Sequence, residues 1–414
     1  MAIVECIHIG TELLTFKINS HTPFIAKKLA PLGLKVKHAQ IVGDSLKEIE
    51  AALTLALARS NIVLASGGLG PTFDDITREA ASAVLKRKLL LNKTLSQSIQ
   101  KRFQKINFKT PSNNQKQAMV LEGALILKND AGTASGQLIE VGRKALTKKI
   151  LILLPGPPRE LENTLNKALP YLKKHFPQKP FKMKTFKIVG KPESYVDEKI
   201  KPLLAGLPEK FVESTILDST YTIDLIFKIG GNFIDPTTDK IRKELIKTFG
   251  EDYLGEDSAT LESTVGTLLA KSNKTLSVAE SCTGGLLAHR VTNISGSSVY
   301  FLNSMVNYSD DSKINSLGVK VSTLRQYGAV SEAVAEEMAL SIMKQSGSDF
   351  GLSVTGICGP SGAVERKPVG LAWFALAQKH QKVATFEKIF FGDRAMLKEK
   401  MASFALDILR RRLL

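Results

Sequence analysis

Between Thr275 and Arg394, hydroxyl side chains and glycines recur in short groups: Ala279-Glu280-Ser281-Cys282-Thr283-Gly284-Gly285, Gly296-Ser297-Ser298, Tyr308-Ser309, Val354-Thr355-Gly356 and Gly392-Asp393-Arg394. Lys313 and Arg394 supply positive charge among them. Such a set suits attack by an activated alcohol on the carboxamide of a phosphorylated substrate. A serine needs a base, and lysine serves when its ammonium gives up a proton readily. Bringing a lysine from about 10.4 to about 7–8 requires roughly 4 kcal/mol of differential destabilisation of the charged form. Burial or a neighbouring cation supplies that.

Ser297 and Ser298 precede Lys313 with Tyr308 between them, which makes the pair a candidate for this chemistry; a plain helix N-cap is the ordinary alternative. The turn from Ser281 to Gly285 passes from a strand into a helix expected from about Gly284. Free amides at a helix start attract anions, glycines admit a phosphate to the backbone, and Ser281 and Thr283 add hydroxyls. Thr355 and Gly356 end an apolar strand, and Arg394 at a strand-to-helix junction suits a bidentate grip on phosphate.

A second group lies near the amino terminus. Ile62-Val63-Leu64-Ala65-Ser66 runs into Gly67-Gly68-Leu69-Gly70, followed by Asp74 and Asp75 and a helix from about Ile76. Phosphate-cradling amides thus adjoin carboxylates able to hold a metal ion, although an aspartate at a helix start is most often a cap.

Positioning these groups requires an α/β framework. Short apolar runs (residues 2–9, 36–42, 62–65) alternate with amphipathic stretches (24–31, 49–58, 80–85), predicting a mostly parallel, doubly wound sheet. From Phe181 to about Gly255 a smaller βαββα module is expected, with Gly230-Gly231 as a strand-ending turn. Gly255-Glu256-Asp257-Ser258-Ala259-Thr260 reads as a linker. A second α/β pattern then predicts strands at 276–279, 304–308, 351–355, 371–377 and 383–391, and a helix at 332–343 capped by Ser331. The domains are expected at 1–175, 176–256 and 257–414.

The length of 414 residues exceeds one hydrophobic core, and 43% hydrophobic with 23% charged residues are ordinary globular values. Cys6, Cys282 and Cys358 lack zinc or disulfide spacing and read as reduced thiols of a cytoplasmic protein. The amino terminus shows no basic n-region, and no apolar run approaches a bilayer span. The net charge of +17 is scattered rather than gathered with aromatics, which favours a solvated basic surface over a nucleic-acid groove.

These motifs, together with Gly328-Ala329-Val330-Ser331-Glu332 and Lys367-Pro368-Val369-Gly370, resemble the carboxy-terminal domain of the CinA family, the nicotinamide-nucleotide amidohydrolases. The resemblance implies deamidation of nicotinamide mononucleotide to nicotinic acid mononucleotide and ammonia without a cofactor. By position it makes Ser298 the nucleophile, Lys313 the base and Tyr308 a proton relay; Ser281, Thr283, Gly284, Gly285, Thr355, Gly356 and Arg394 bind substrate. Gly10, Glu12, Gly67, Gly68, Gly70, Asn114, Gln117 and Gly156 resemble the same family's molybdopterin-binding-like domain, and residues 176–256 its KH-like insert. That implies a nucleotide site with ADP-ribose pyrophosphatase activity in some members, dependent on a divalent cation of the magnesium or cobalt type held by Asp74 and Asp75. One departure bears on it: family members commonly carry a glycine after the position of Leu14 and later Asp-Thr-Asn, where this chain reads Thr15-Phe16-Lys17-Ile18-Asn19-Ser20-His21. The loss of a potential metal-binding carboxylate bears on hydrolysis and not on nucleotide binding, and ADP-ribose hydrolysis stays the expected second activity. The expected partners are small nucleotides and further copies of the chain, as a homodimer or higher oligomer, with no membrane and no nucleic acid. A regulatory amino-terminal domain, or a competence- and recombination-associated binding protein, are the alternative readings.

Overall fold

The structure is a computed structural model and describes residues 2–142, 149–208, 212–230 and 234–414. These gather into two compact units. One runs to Met183 and takes in Gly230 and Ile234; the other holds Lys184–Ile229 and Asp235–Leu414.

The first unit contains β1 (Ile3–Ile9), β2 (Lys35–Val42), β3 (Ile62–Ser66), β4 (Leu89–Leu91), β5 (Met119–Leu121), β6 (Leu125–Leu127), β7 (Gly136–Val141) and β8 (Lys149–Leu154). Its main sheet has the order β2-β1-β3-β8-β7-β6, parallel across the first four and antiparallel at β7 and β6. Every residue of β3 is buried, as expected of a central strand covered on both faces. Helices His21–Leu29 and Pro158–His175 pack Ile25, Leu29, Leu161 and Leu165 on one face. Helices Leu46–Arg59 and Thr77–Leu85 pack Ile49, Leu53 and Ala80 on the other. The sheet is therefore doubly wound, and the carboxyl ends of its parallel strands deliver the Gly10 and Gly67 loops to one edge, where α/β sheets bind ligands.

The second unit begins with β9 (Phe181–Val189), β10 (Val212–Asp218), β11 (Thr222–Gly230) and β12 (Tyr253–Glu256), ordered β10-β11-β9-β12. Helices Glu193–Ala205 and Ile234–Phe249 complete the module. β12 corrects the linker expected at 255–260: Gly255 and Glu256 pair with β9. Opposite charges hold them there, since Glu256 meets Lys184 at 3.2 Å and also Arg242. Gly230 closes β11, whereas Gly231 lies outside the described residues.

The rest of this unit is a five-stranded sheet of β13 (Leu276–Glu280), β14 (Phe301–Val306), β15 (Phe350–Gly356), β16 (Leu371–Gln378) and β17 (Ala384–Ile389), in the order β14-β13-β15-β16-β17. β14, β13 and β15 are parallel, β16 runs against them, and β17, antiparallel to β16, points the same way as the first three. All five expected strands are present, the second starting and ending slightly earlier. Ser331 caps helix Glu332–Ser346 as expected, accepting from the Val334 amide.

Helix Arg394–Leu413 crosses the core and carries a buried charge hub. Asp407 accepts from Arg410 Nε (2.9 Å) and Nη2 (2.6 Å), from Arg411 Nε (2.9 Å) and from Tyr221 Oη (3.3 Å). The hub thereby ties the β10–β11 hairpin to the last helix. Removing one member of a buried pair strands the other charge. Asp407→Ala is expected to lower unfolding free energy by about 3–5 kcal/mol, with Asp407→Ala/Arg410→Met recovering much of it; denaturant unfolding of both variants checks this.

Candidate functional site

The buried strand β13 delivers the chain into the turn Ser281–Gly285, and helix Leu286–Thr292 follows. What fixes the turn is Glu280, fully buried. Its carboxylate accepts from the amides of Gly285 (3.0 Å), Leu287 (3.1 Å) and Ala288 (2.8 Å). This corrects the expectation that the helix start is open to a phosphate: the protein's own carboxylate fills that position. The amides of Cys282 and Thr283, one step earlier, make no hydrogen bond among the described residues.

Lys313 comes from the first turn of helix Asp310–Leu317, just past the carboxyl end of β14. It is 1% exposed, and its Nζ donates to Ser281 Oγ (3.2 Å) and to the carbonyls of Asn307 (2.9 Å) and Tyr308 (3.2 Å). All three partners are uncharged in their ordinary state. Burial draws the ammonium below its usual range, partly offset by the negative ends of Asp310 and Cys282.

Around this pair lies a pocket of about 160 Å³ lined by Ser281, Cys282, Tyr308, Lys313, Ala329, Val330, Thr355, Gly356, Cys358 and Arg394. Thr355 donates to the Ala329 carbonyl at 2.9 Å, which holds the loop before the Ser331 cap against the strand end. Arg394 is positioned by the Gly359 carbonyl (2.7 Å) and by the Tyr308 phenol (2.8 Å) and lines the pocket.

Ser298 is elsewhere. It sits in a one-turn 3-10 helix before β14, exposed, whereas Lys313 follows the other end of the same strand. Six strand residues at about 3.3 Å each separate the two by roughly 20 Å. The expected Ser298–Lys313 pairing is therefore replaced by Ser281–Lys313. Two smaller corrections follow. Tyr308 meets Lys313 through its main-chain carbonyl, with its phenol on Arg394 instead. Thr283 is fully buried behind the turn, its hydroxyl unpartnered and outside the pocket.

In the first unit, the strand ends enclose a cavity of about 710 Å³ lined by Gly10, Glu12, Gly67, Gly68, Gly70, Asp74, Asp75, Gln117, Gly156 and His21 among others. Asn114 stands behind it, donating to Gln117 Oε1 at 2.9 Å. Gly67 is required: with φ +103° its missing Cβ would collide with the Ile9 carbonyl. The loop is tied by Asp75, which accepts from the amides of Gly70 (2.8 Å) and Thr72 (2.8 Å) and from the Thr72 hydroxyl. Beneath it, buried Arg78 donates to the Leu69 carbonyl at 2.6 Å. Asp75 is thus consumed by the loop and Asp74 is exposed. Among the described residues no three of His, Cys, Asp and Glu share a metal-sized site.

His21 opens helix His21–Leu29 with Asn19 Oδ1 accepting its amide, and its ring turns into the cavity. His21 Nδ1 lies 3.1 Å from Ser66 Oγ, and His8 Nδ1 reaches the same oxygen at 2.8 Å while His8 Nε2 lies 2.7 Å from Thr22 Oγ1. Burial pushes both imidazoles down, His8 to about 4.

Two family descriptions match: "Probable molybdopterin binding domain" over residues 5–174 and "CinA C-terminal domain" over 258–413. A CinA-like protein of Endomicrobium trichonymphae is 39% identical over 422 residues, covering 99% of this chain and 98% of its own length. The chain belongs to the CinA family. A CinA-like protein of Kosmotoga olearia is likewise 39% identical, over 99% of this chain and 98% of that one. A crystal structure of a CinA superfamily protein from Klebsiella pneumoniae is 33% identical and covers 37% of this chain and 95% of that chain, with a TM-score of 0.36. No helix among the described residues is long and apolar enough to cross a membrane.

In this CinA chain the side chains that sequence reading missed are mostly buried partners. Glu280 stood within the quoted motif, but nothing in its spacing says that its carboxylate folds back onto the amides five to eight residues on. His8 and Ser66 look like strand residues until the sheet brings β1 and β3 side by side. The His8 shift carries a sign. Between about pH 4 and pH 6.5 the unfolded state binds a proton that folded His8 refuses, so stability rises with pH across that window. Calorimetry from pH 4 to 7 is expected to show this rise, reduced in His8→Gln by up to about 3 kcal/mol.

Proposed function

We propose that the carboxy-terminal site removes the carboxamide nitrogen of nicotinamide mononucleotide as ammonia, with Ser281 as nucleophile and Lys313 as its base. The observation that carries this reading is the 3.2 Å approach of the buried Lys313 Nζ to Ser281 Oγ, both lining one pocket. Neutral Lys313 takes the Ser281 proton as Oγ attacks the amide carbon. The Cys282 and Thr283 amides, without a hydrogen-bond partner among the described residues, are the candidate donors to the resulting oxyanion. Protonated Lys313 returns its proton to the leaving nitrogen, ammonia departs, and a water deprotonated by the same amine frees the acid. The pocket's size suits the pyridine ring and its carboxamide, with the ribose phosphate directed to the mouth at Arg394.

For the first unit we propose a nucleotide-binding cavity of the ADP-ribose class, supported by its volume, its glycine loop and the buried Asn114–Gln117 pair. The use of Asp75 within the loop favours binding over hydrolysis. Calorimetric binding of ADP-ribose without release of AMP is the expected result; metal-dependent AMP release would restore the pyrophosphatase reading.

Ser281→Ala is expected to lower kcat for ammonia release at least about 10³-fold, while Ser298→Ala stays within about a factor of two of the parent. The reverse pattern overturns the assignment. The base must be neutral, so activity should rise with pH through the lowered Lys313 value and level off below the ordinary lysine value of 10.5. Lys313→Arg, which stays protonated, should abolish that limb.

A further inference from the structure

Beneath the pocket three sulfur atoms come together from separate elements. Cys282 follows Ser281 in the turn after β13, Cys358 follows β15, and Met401 lies on helix Arg394–Leu413. Cys282 Sγ is 3.6 Å from Met401 Sδ, and Cys358 Sγ is 3.7 Å from it. Cys358 Sγ also lies 3.7 Å from the Cys282 carbonyl, to which it can donate. All three residues are buried, yet both cysteines contribute to the lining of the 160 Å³ pocket, which gives a small ion a route in.

We infer that Cys282, Cys358 and Met401 form a three-coordinate binding site for a soft monovalent cation of the copper(I) class. A metal bound to sulfur stands about 2.3 Å from it, so three sulfurs around a trigonal ion are separated by roughly 4 Å. The two thiol–thioether distances, 3.6 and 3.7 Å, need only a few tenths of an ångström of expansion to reach that. Thiolate and thioether donors select copper(I), whereas harder ions want imidazole or oxygen. Among the described residues no three His, Cys, Asp and Glu side chains converge, so this place offers zinc no fourth ligand of its usual kind.

Charge also balances. Uptake breaks two S–H bonds, sends two protons to solvent and forms two copper–thiolate bonds and one dative bond from Met401, with no electron transferred. The loaded site carries one net negative charge. Because uptake releases two protons, binding is expected to strengthen as pH rises.

The inference goes beyond the amidase reading, and its test has a separate readout. Copper(I), supplied as its bicinchoninate complex under anaerobic reducing conditions, is titrated with the full-length protein and followed by loss of the complex's visible absorbance. The wild-type chain is expected to withdraw one equivalent per chain. Cys358→Ser should lose that equivalent, Met401→Leu should hold it more weakly, and Cys6→Ser, altered in the other unit, should match wild type. Ser281→Ala should also withdraw one equivalent, so a failed amidase assignment leaves this result untouched. Unchanged melting temperatures show that the variants are folded. The assignment is overturned if wild type leaves the copper with its chelator, if Cys358→Ser binds like wild type, or if Cys6→Ser is the variant that loses it. Met401→Leu binding as tightly as wild type would remove the thioether and with it the three-sulfur site.

Discussion

The carboxylate of Glu280, buried at the end of the central strand, is the constraint on which the second unit's site depends. An unpaired carboxylate in that position would be costly, and an unsatisfied helix start beside it would be costly too. Each resolves the other. By drawing in the amides of Gly285, Leu287 and Ala288, Glu280 forces the intervening residues into a tight loop, with Gly284 and Gly285 both at positive φ. The loop's remaining freedom is small. Ser281 is left at the strand end with its hydroxyl over Lys313, and the Cys282 and Thr283 amides remain available.

The same economy of buried charge distinguishes the lysine. An ammonium in the interior normally recruits a carboxylate, which would hold its proton. Lys313 is instead met by two carbonyls and a hydroxyl, partners that satisfy N–H donors without adding a full negative charge. Burial then disfavours the charged form, and the amine becomes able to exchange a proton with its neighbour. In the first unit the two histidines show the parallel case: a neutral imidazole pair shares the Ser66 hydroxyl at the cavity wall. There the carboxylate chemistry has been turned inward, Asp75 shaping the glycine loop in which it lies.

Much of the architecture was legible from pattern alone. The βαβα rhythm through Leu85 follows from alternation of apolar strands and amphipathic helices and is present as expected, whereas beyond it β5 to β8 follow one another, with β6–β7 and β7–β8 antiparallel, before the helix Pro158–His175. The strand Tyr253–Glu256 was not legible, because Gly255 and the acidic residues after it carry linker chemistry. Only the proximity of Lys184 and Arg242, brought by β9 and the helix Ile234–Phe249, turns that acidity into a strand edge. Likewise, Ser298 and Lys313 are fifteen positions apart in sequence, which suggests nearness, but the segment between them contains a strand, and a strand carries its ends apart.

Sequence by itself determined which chemistries were present: a lysine among hydroxyls, a glycine loop before carboxylates, and a family membership written in fixed motifs. It also determined the layers, because periodicity dictates which faces must be buried. Tertiary structure alone decided which serine faces the lysine, that the helix start is already occupied by Glu280, and that three sulfurs from distant segments share one place. The reason is that these outcomes depend on which strands lie side by side and which ends coincide. That information resides in the parallel register of β13, β14 and β15 and in no local stretch of the chain.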